Sequence, residues 1–121
     1  MATVLVVDDA LFMRILLKNI LEKAGHRVIG EGGTADEAVA LYATLKPDLV
    51  TLDLVMPQKS GLVALQEILA LDPRARIIVV SAVDQRGIAE EAVRAGAKVF
   101  ILKPFQPERM RLCVQEVLHL P

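Results

Sequence analysis

The chain has 121 residues, 54% hydrophobic and 24% charged, which is enough for one apolar core and too apolar for a disordered chain. Fourteen Lys and Arg against fifteen Asp and Glu leave a formal net charge of -1 and no basic footprint for direct nucleic-acid binding; the one cysteine, Cys113, excludes an internal disulfide. The opening "MATVLVVDD" lacks the basic region and long apolar run of a secretion signal, and no apolar stretch reaches membrane-spanning length, so the expected location is the cytoplasm, with no membrane partner.

The first element is "TVLVVD" (3–8), a near-continuous apolar run that ends on two adjacent carboxylates, Asp8 and Asp9. Such a run reads as a strand buried on both faces. A helix follows, with Leu11, Ile15, Leu16 and Ile20 expected on its buried stripe and Arg14, Lys18, Glu22 and Lys23 elsewhere, ending before Gly25. The second strand is "RVIGE" (27–31), and the second helix opens on "TADE", where Thr34 and Glu37 have capping-box spacing. The third strand, "DLVTLD" (48–53), lies just beyond Pro47 and ends on Asp53; its helix opens after Ser60 and stops before Pro73. The fourth strand, "RIIVVS" (76–81), ends on Ser81, and its helix stops at Gly96. The fifth, "KVFILK" (98–103), ends on Lys103 before the last helix. His26 and Cys113 are expected to be structural, Met56 and Pro57 to shape a loop, and His119 to be exposed.

Five strands alternating with five helices predict an α/β fold: one domain over residues 1–121, a doubly wound parallel sheet with right-handed crossovers. The expected order 2-1-3-4-5 is taken from known five-stranded sheets of this class. In such a sheet the carboxyl ends of the strands share one edge, so Asp8, Asp9, Asp53, Ser81 and Lys103 converge. Three carboxylates so placed require a cation, and hard oxygen donors in a shallow site favour magnesium. A carboxylate nucleophile, a metal and a lysine suit phosphoryl transfer to form an acyl phosphate. Asp53, alone at its strand end, is the best acceptor, with Asp8 and Asp9 as the metal-holding pair; spacing alone leaves the reverse assignment open.

The motifs "VVDDA", "TLDLVMPQKSG", "VVSA" and "GAKVFILKPF", in this order and spacing, resemble the receiver domain of two-component response regulators over nearly the whole chain. "VDDALFMR" and "KPFQP" are most similar to the single-domain chemotaxis regulators. The resemblance implies a flavodoxin-like receiver fold and a phosphorylation-activated switch. By position it makes Asp53 the phosphoacceptor, Asp9 and Asp53 direct Mg2+ ligands, Asp8 an acidic partner acting largely through water, and the backbone carbonyl of Val55 a further ligand. Ser81 and Lys103 would each hold a phosphoryl oxygen, Phe100 would be the switch aromatic, and the Lys103–Pro104 peptide would be cis.

The implied partners are a histidine kinase as phosphodonor, a target protein bound on the face of the fourth helix, fifth strand and fifth helix, and a phosphatase to reset the switch. Motor control in chemotaxis is the leading expectation, because no effector segment follows; a phosphorelay intermediate or a receiver excised from a larger regulator would read almost identically. A phosphatase of the haloacid dehalogenase type needs a second Asp two residues after its nucleophile, and Ala10, Leu11 and Val55 stand there instead, so turnover as an enzyme is not expected. No Gly-rich loop follows the first strand, which excludes a dinucleotide fingerprint. A receiver-shaped binding module that is never phosphorylated is disfavoured by the complete acceptor set. Val55 and Val83, two residues beyond Asp53 and Ser81, are apolar and cannot orient an attacking water, which predicts a persistent phosphoaspartate.

Overall fold

In the computed structural model, which describes residues 1–121, Val4, Leu5, Val6 and Val7 are all buried although their side chains alternate in direction. Leu5 and Val7 enter one apolar core, Val4 and Val6 another. A strand between two helical layers has no solvent face, which is why it reads as an unbroken apolar run.

Five strands form one sheet: β1 (Thr3–Val7), β2 (Arg27–Gly32), β3 (Leu49–Asp53), β4 (Ile77–Ala82) and β5 (Val99–Lys103), in the order β2-β1-β3-β4-β5. Every pairing is parallel, and β1 and β3 lie side by side with Val7 opposite Leu52. The crossovers are α1 (Leu11–Lys23), α2 (Ala35–Leu45), α3 (Gly61–Leu71), α4 (Arg86–Ala95, after a short 3-10 turn) and α5 (Pro107–Leu118). Helices α2, α3 and α4 cover one face through Ala38, Leu65, Ile68 and Ala92, and α1 and α5 the other through Leu17, Leu21, Met110 and Val114. Truncating a fully buried side chain such as Leu65 to Ala costs about 2–5 kcal/mol, so each layer is needed to hold the sheet edge.

Local signals work as the sequence predicts at most helix ends. Thr34 Oγ1 accepts a hydrogen bond from the Glu37 N–H at 3.1 Å, while the Glu37 carboxylate accepts from the Gly33 N–H at 2.8 Å, so the capping box closes one residue before the cap. Gly25 and Gly96 take positive φ just after α1 and α4. Cys113 is buried and His119 is exposed. No helix is long and apolar enough to cross a membrane.

The stripe expected on α1 is wrong in part. Leu11 and Ile15 are 59% and 52% exposed, whereas Leu17, Ile20 and Leu21 are buried. The segment "LFMRILLKNIL" carries two overlapping apolar stripes, and the one that meets Val4, Val6 and α5 wins. Leu11, Phe12 and Ile15 are left on the surface at the end of α1 that adjoins Asp9.

Candidate functional site

The chemistry-bearing residues stand together at the carboxyl edge of the sheet. Asp8 directly follows β1, Asp53 ends β3, Ser81 is next to last in β4 and Lys103 ends β5. Pairing fixes their relative heights: Asp53 lies opposite Val80, and Ser81 and Ala82 opposite Leu102 and Lys103. Asp8, Asp53 and Ser81 are buried and Asp9 is exposed at the mouth. The three aspartates each offer a carboxylate oxygen within 4.8 Å of the others.

Two cross-sheet contacts join Lys103 to the acids. Its Nζ donates to Asp8 Oδ2 at 2.8 Å and lies 3.6 Å from Asp53 Oδ2. Asp8 Oδ1 also accepts from the Ala10 N–H at 2.9 Å, and Asp53 Oδ1 from the Val55 N–H at 3.2 Å. Burial raises the pKa of Asp53; Lys103 opposes that rise, Asp8 and Asp9 add to it, and the Val55 N–H opposes it. Asp53 is therefore a carboxylate short of positive charge. Three acids against one ammonium leave a site that a hard divalent cation would neutralise, and its all-oxygen donor set fits Mg2+.

The loop after Asp53 is shaped by close packing. A Cβ on Gly61 would lie 2.1 Å from the Asp53 carbonyl oxygen and 2.7 Å from Leu54 Cα, so only glycine lets α3 start against the end of β3. The Gly61 N–H donates to the Leu54 carbonyl at 2.7 Å and locks that approach. Gln58 reverses the loop at φ 74, Met56 is buried beneath it, and Val55 is exposed at the mouth. On the other side of the site the Lys103–Pro104 peptide is cis, as the resemblance implied.

Ser81 and Phe100 lie behind the acids. The Ser81 hydroxyl donates to Gln85 Oε1 at 3.4 Å, across the turn that leads into α4. Phe100, on β5, is half-buried and packs against the core beneath α4. The Arg86 guanidinium sits 5.8 Å from the centre of its ring, within cation–π range. Sequence reasoning gave no role to Gly61, Gln85 or Arg86; of these, Gly61 left a signal, as the last residue of "TLDLVMPQKSG" and a glycine at a helix start.

A profile of the response regulator receiver domain matches residues 4–115. The chain belongs to that family. This receiver is 54% identical over 107 residues to the chemotaxis protein CheY of Thermotoga maritima, covering 88% of this chain and 89% of that one. It is 47% identical over 110 residues to CheY of Listeria monocytogenes, covering 91% and 92%. Among solved structures it resembles a chain of the CheX–CheY–BeF3–Mg2+ complex from Borrelia burgdorferi, with a TM-score of 0.92 at 32% identity, covering 98% of this receiver and 90% of that chain. The receiver is thus a CheY-like, phosphorylation-dependent response regulator of two-component signalling.

Proposed function

We propose that Asp53 accepts a phosphoryl group from a histidine kinase in a Mg2+-dependent reaction, and that the phosphorylated receiver then binds a target protein in control of chemotaxis in the cytoplasm. The observation that carries this reading is the buried Asp53 carboxylate, short of positive charge, with Asp8 and Asp9 within 4.8 Å and Lys103 Nζ at 3.6 Å. The likeness to chemotaxis proteins over most of both chains supports the choice of pathway.

Asp9, Asp53 and the Val55 carbonyl would hold the cation, with Asp8 acting through water. Bound there, Mg2+ would offset charge on the phosphoryl oxygens and hold them in line. A carboxylate oxygen of Asp53 attacks phosphorus as the bond to the donor imidazole breaks, which leaves an acyl phosphate on Asp53 and a neutral histidine on the kinase. Lys103 turns from Asp8 toward one phosphoryl oxygen, and Ser81 gives up Gln85 to donate to another. Val55 stands two residues after Asp53, where a dehalogenase-type phosphatase would carry its acid-base Asp, so the receiver is read as a phosphoacceptor rather than as an enzyme. Val55 and Val83, both exposed and apolar, put no water-orienting group at the mouth, so the phosphoaspartate persists until a phosphatase resets it.

The response to phosphorylation travels through the turn that starts at Ala82. When Ser81 moves in, that turn follows and Phe100 swings into the space left behind. This remodels the face of α4, β5 and α5, where an open groove of about 660 Å³ is lined by Arg86, Lys98, Phe100, Phe105 and Arg109. Amide NMR of the full chain with beryllium fluoride and Mg2+ tests the switch. Shifts at 86–109 are expected in wild type and not in Asp53→Asn; shifts confined to the acidic mouth would refute it.

A further inference from the structure

Of the three carboxylates in the acidic cluster, two are fixed by their own hydrogen bonds. Asp8 is held by the Ala10 N–H and Lys103, and Asp53 by the Val55 N–H. The third, Asp9, is exposed, and no group of the protein donates to its carboxylate. Its placement depends on the backbone that carries it.

That backbone is held at both ends of one residue. The Asp8 N–H donates to the Gly32 carbonyl at 2.9 Å, and the Asp8 carbonyl accepts from Arg14 Nη1 at 2.7 Å. The carbonyl that Arg14 grips belongs to the same planar unit as the Asp9 N–H, so fixing it fixes the direction in which the chain enters Asp9. Arg14 is itself constrained: its side chain is 20% exposed, and its Nε donates to Glu31 Oε1 on β2 at 3.3 Å. An arginine expected only to lie off the buried stripe of α1 spans from the edge strand to the acidic mouth.

We propose that Arg14 is a positioning residue that sets the Asp8–Asp9 peptide, and through it the Asp9 carboxylate, for cation binding, with Glu31 orienting the guanidinium. The inference rests on the Mg2+ reading of the acidic cluster given above. It makes a prediction opposite in sign to that of charge alone. A guanidinium beside a cation site repels the cation, so simply deleting it would tighten Mg2+ binding. Loss of the grip on Asp8 weakens it, by roughly tenfold for an outer partner of a metal ligand.

The experiment is calorimetric titration of MgCl2 into the full chain, as wild type, Arg14→Met, Glu31→Ala and the double variant, with metal-free melting temperatures and the amide NMR signal of Asp9 as companions. The expected result is a roughly tenfold rise in Kd for Arg14→Met, a displaced or broadened Asp9 signal before any metal is added, and a melting temperature close to wild type. Because Glu31 acts through Arg14, the double variant should bind no more weakly than Arg14→Met. Unchanged or tighter Mg2+ binding in a folded Arg14→Met would overturn the proposal. Should that variant fail to fold, Arg14→Lys decides. Charge alone predicts wild-type affinity for it, which would refute the assignment, whereas a lysine lacks the planar fork that spans Glu31 and the Asp8 carbonyl and should cost a few-fold. A wild type that takes up no Mg2+ would instead sink the reading of the cluster, an outcome distinct from a wild type that binds and an Arg14→Met that binds as well.

Discussion

Lys103 Nζ lies 2.8 Å from Asp8 and 3.6 Å from Asp53, so the ammonium of β5 is bonded to Asp8 rather than to the proposed acceptor, Asp53. Of the two, Asp8 is the more deeply buried carboxylate. A cation entering the cluster and a phosphoryl group on Asp53 would both change that allegiance. Replacing Lys103 with Met should therefore separate two effects. The metal-free protein should lose about 2 kcal/mol, because Asp8 is left buried and unpaired. Mg2+ should bind several-fold more tightly, because one competing positive charge is gone. Denaturation with and without MgCl2 reads both, and weaker Mg2+ binding would contradict this account of the site's electrostatics.

Asp53 should itself destabilise the metal-free fold at neutral pH. Its pKa is raised in the folded protein, chiefly by burial, so the folded state holds that proton more tightly than the unfolded chain does. Where the folded carboxyl is still protonated and the unfolded one is not, stability falls as pH rises, and the loss is complete above the folded pKa. Asp53→Asn removes the charge and so should melt higher than wild type at pH 7 without metal. The advantage should vanish below the ordinary carboxylate pKa of 3.8, where both states are protonated. Melting curves from pH 3 to pH 8 in chelator decide the matter, an advantage that grows on acidification being the adverse result.

The proposed persistence of the phosphoaspartate is argued from two exposed valines. Val55 and Val83 are 47% and 64% exposed, and neither side chain can donate or accept a hydrogen bond. Val83→Glu and Val55→Asn each add a group able to orient water, and each should raise the first-order decay of the phosphorylated form by a few-fold. The decay after removal of phosphodonor is followed by intact mass. Equal rates in wild type and both variants would show that access, not water orientation, sets the lifetime.

Thr51 offers a test of packing free of the chemistry. Its hydroxyl is fully buried in the middle of β3 and has no hydrogen-bond partner. Thr51→Val keeps the shape and removes the stranded group, so it should stabilise the protein by about 1 kcal/mol. Phosphorylation should be unaltered. A loss of stability in chemical denaturation would mean that the hydroxyl has a partner, such as a buried water.

The fold was legible in the sequence because strands covered on both faces are nearly all apolar, and most of the five runs read that way. The acidic cluster was legible because β1, β3, β4 and β5 each reach Asp8, Asp53, Ser81 or Lys103 at or just past their carboxyl ends. The α1 stripe was misread because Leu11 and Ile15 are as apolar as Leu17 and Leu21, and only the position of β1 chooses between them. Arg14 stood at the end of "VDDALFMR", but its role was not legible because its main partner is a backbone carbonyl and its second, Glu31, is 17 residues away. The cis peptide before Pro104 came from the resemblance alone. Gly61 was visible as a helix-start residue, but its contact with the Asp53 carbonyl depends on how closely α3 meets β3.

The central claim is that Asp53 is a Mg2+-dependent phosphoacceptor. Its most direct test is intact mass after incubation with a small-molecule phosphodonor, with and without Mg2+, for wild type and Asp53→Asn. The account predicts the mass of a single added phosphoryl group in wild type with Mg2+ alone. No gain under any condition, or a gain in Asp53→Asn, would contradict it.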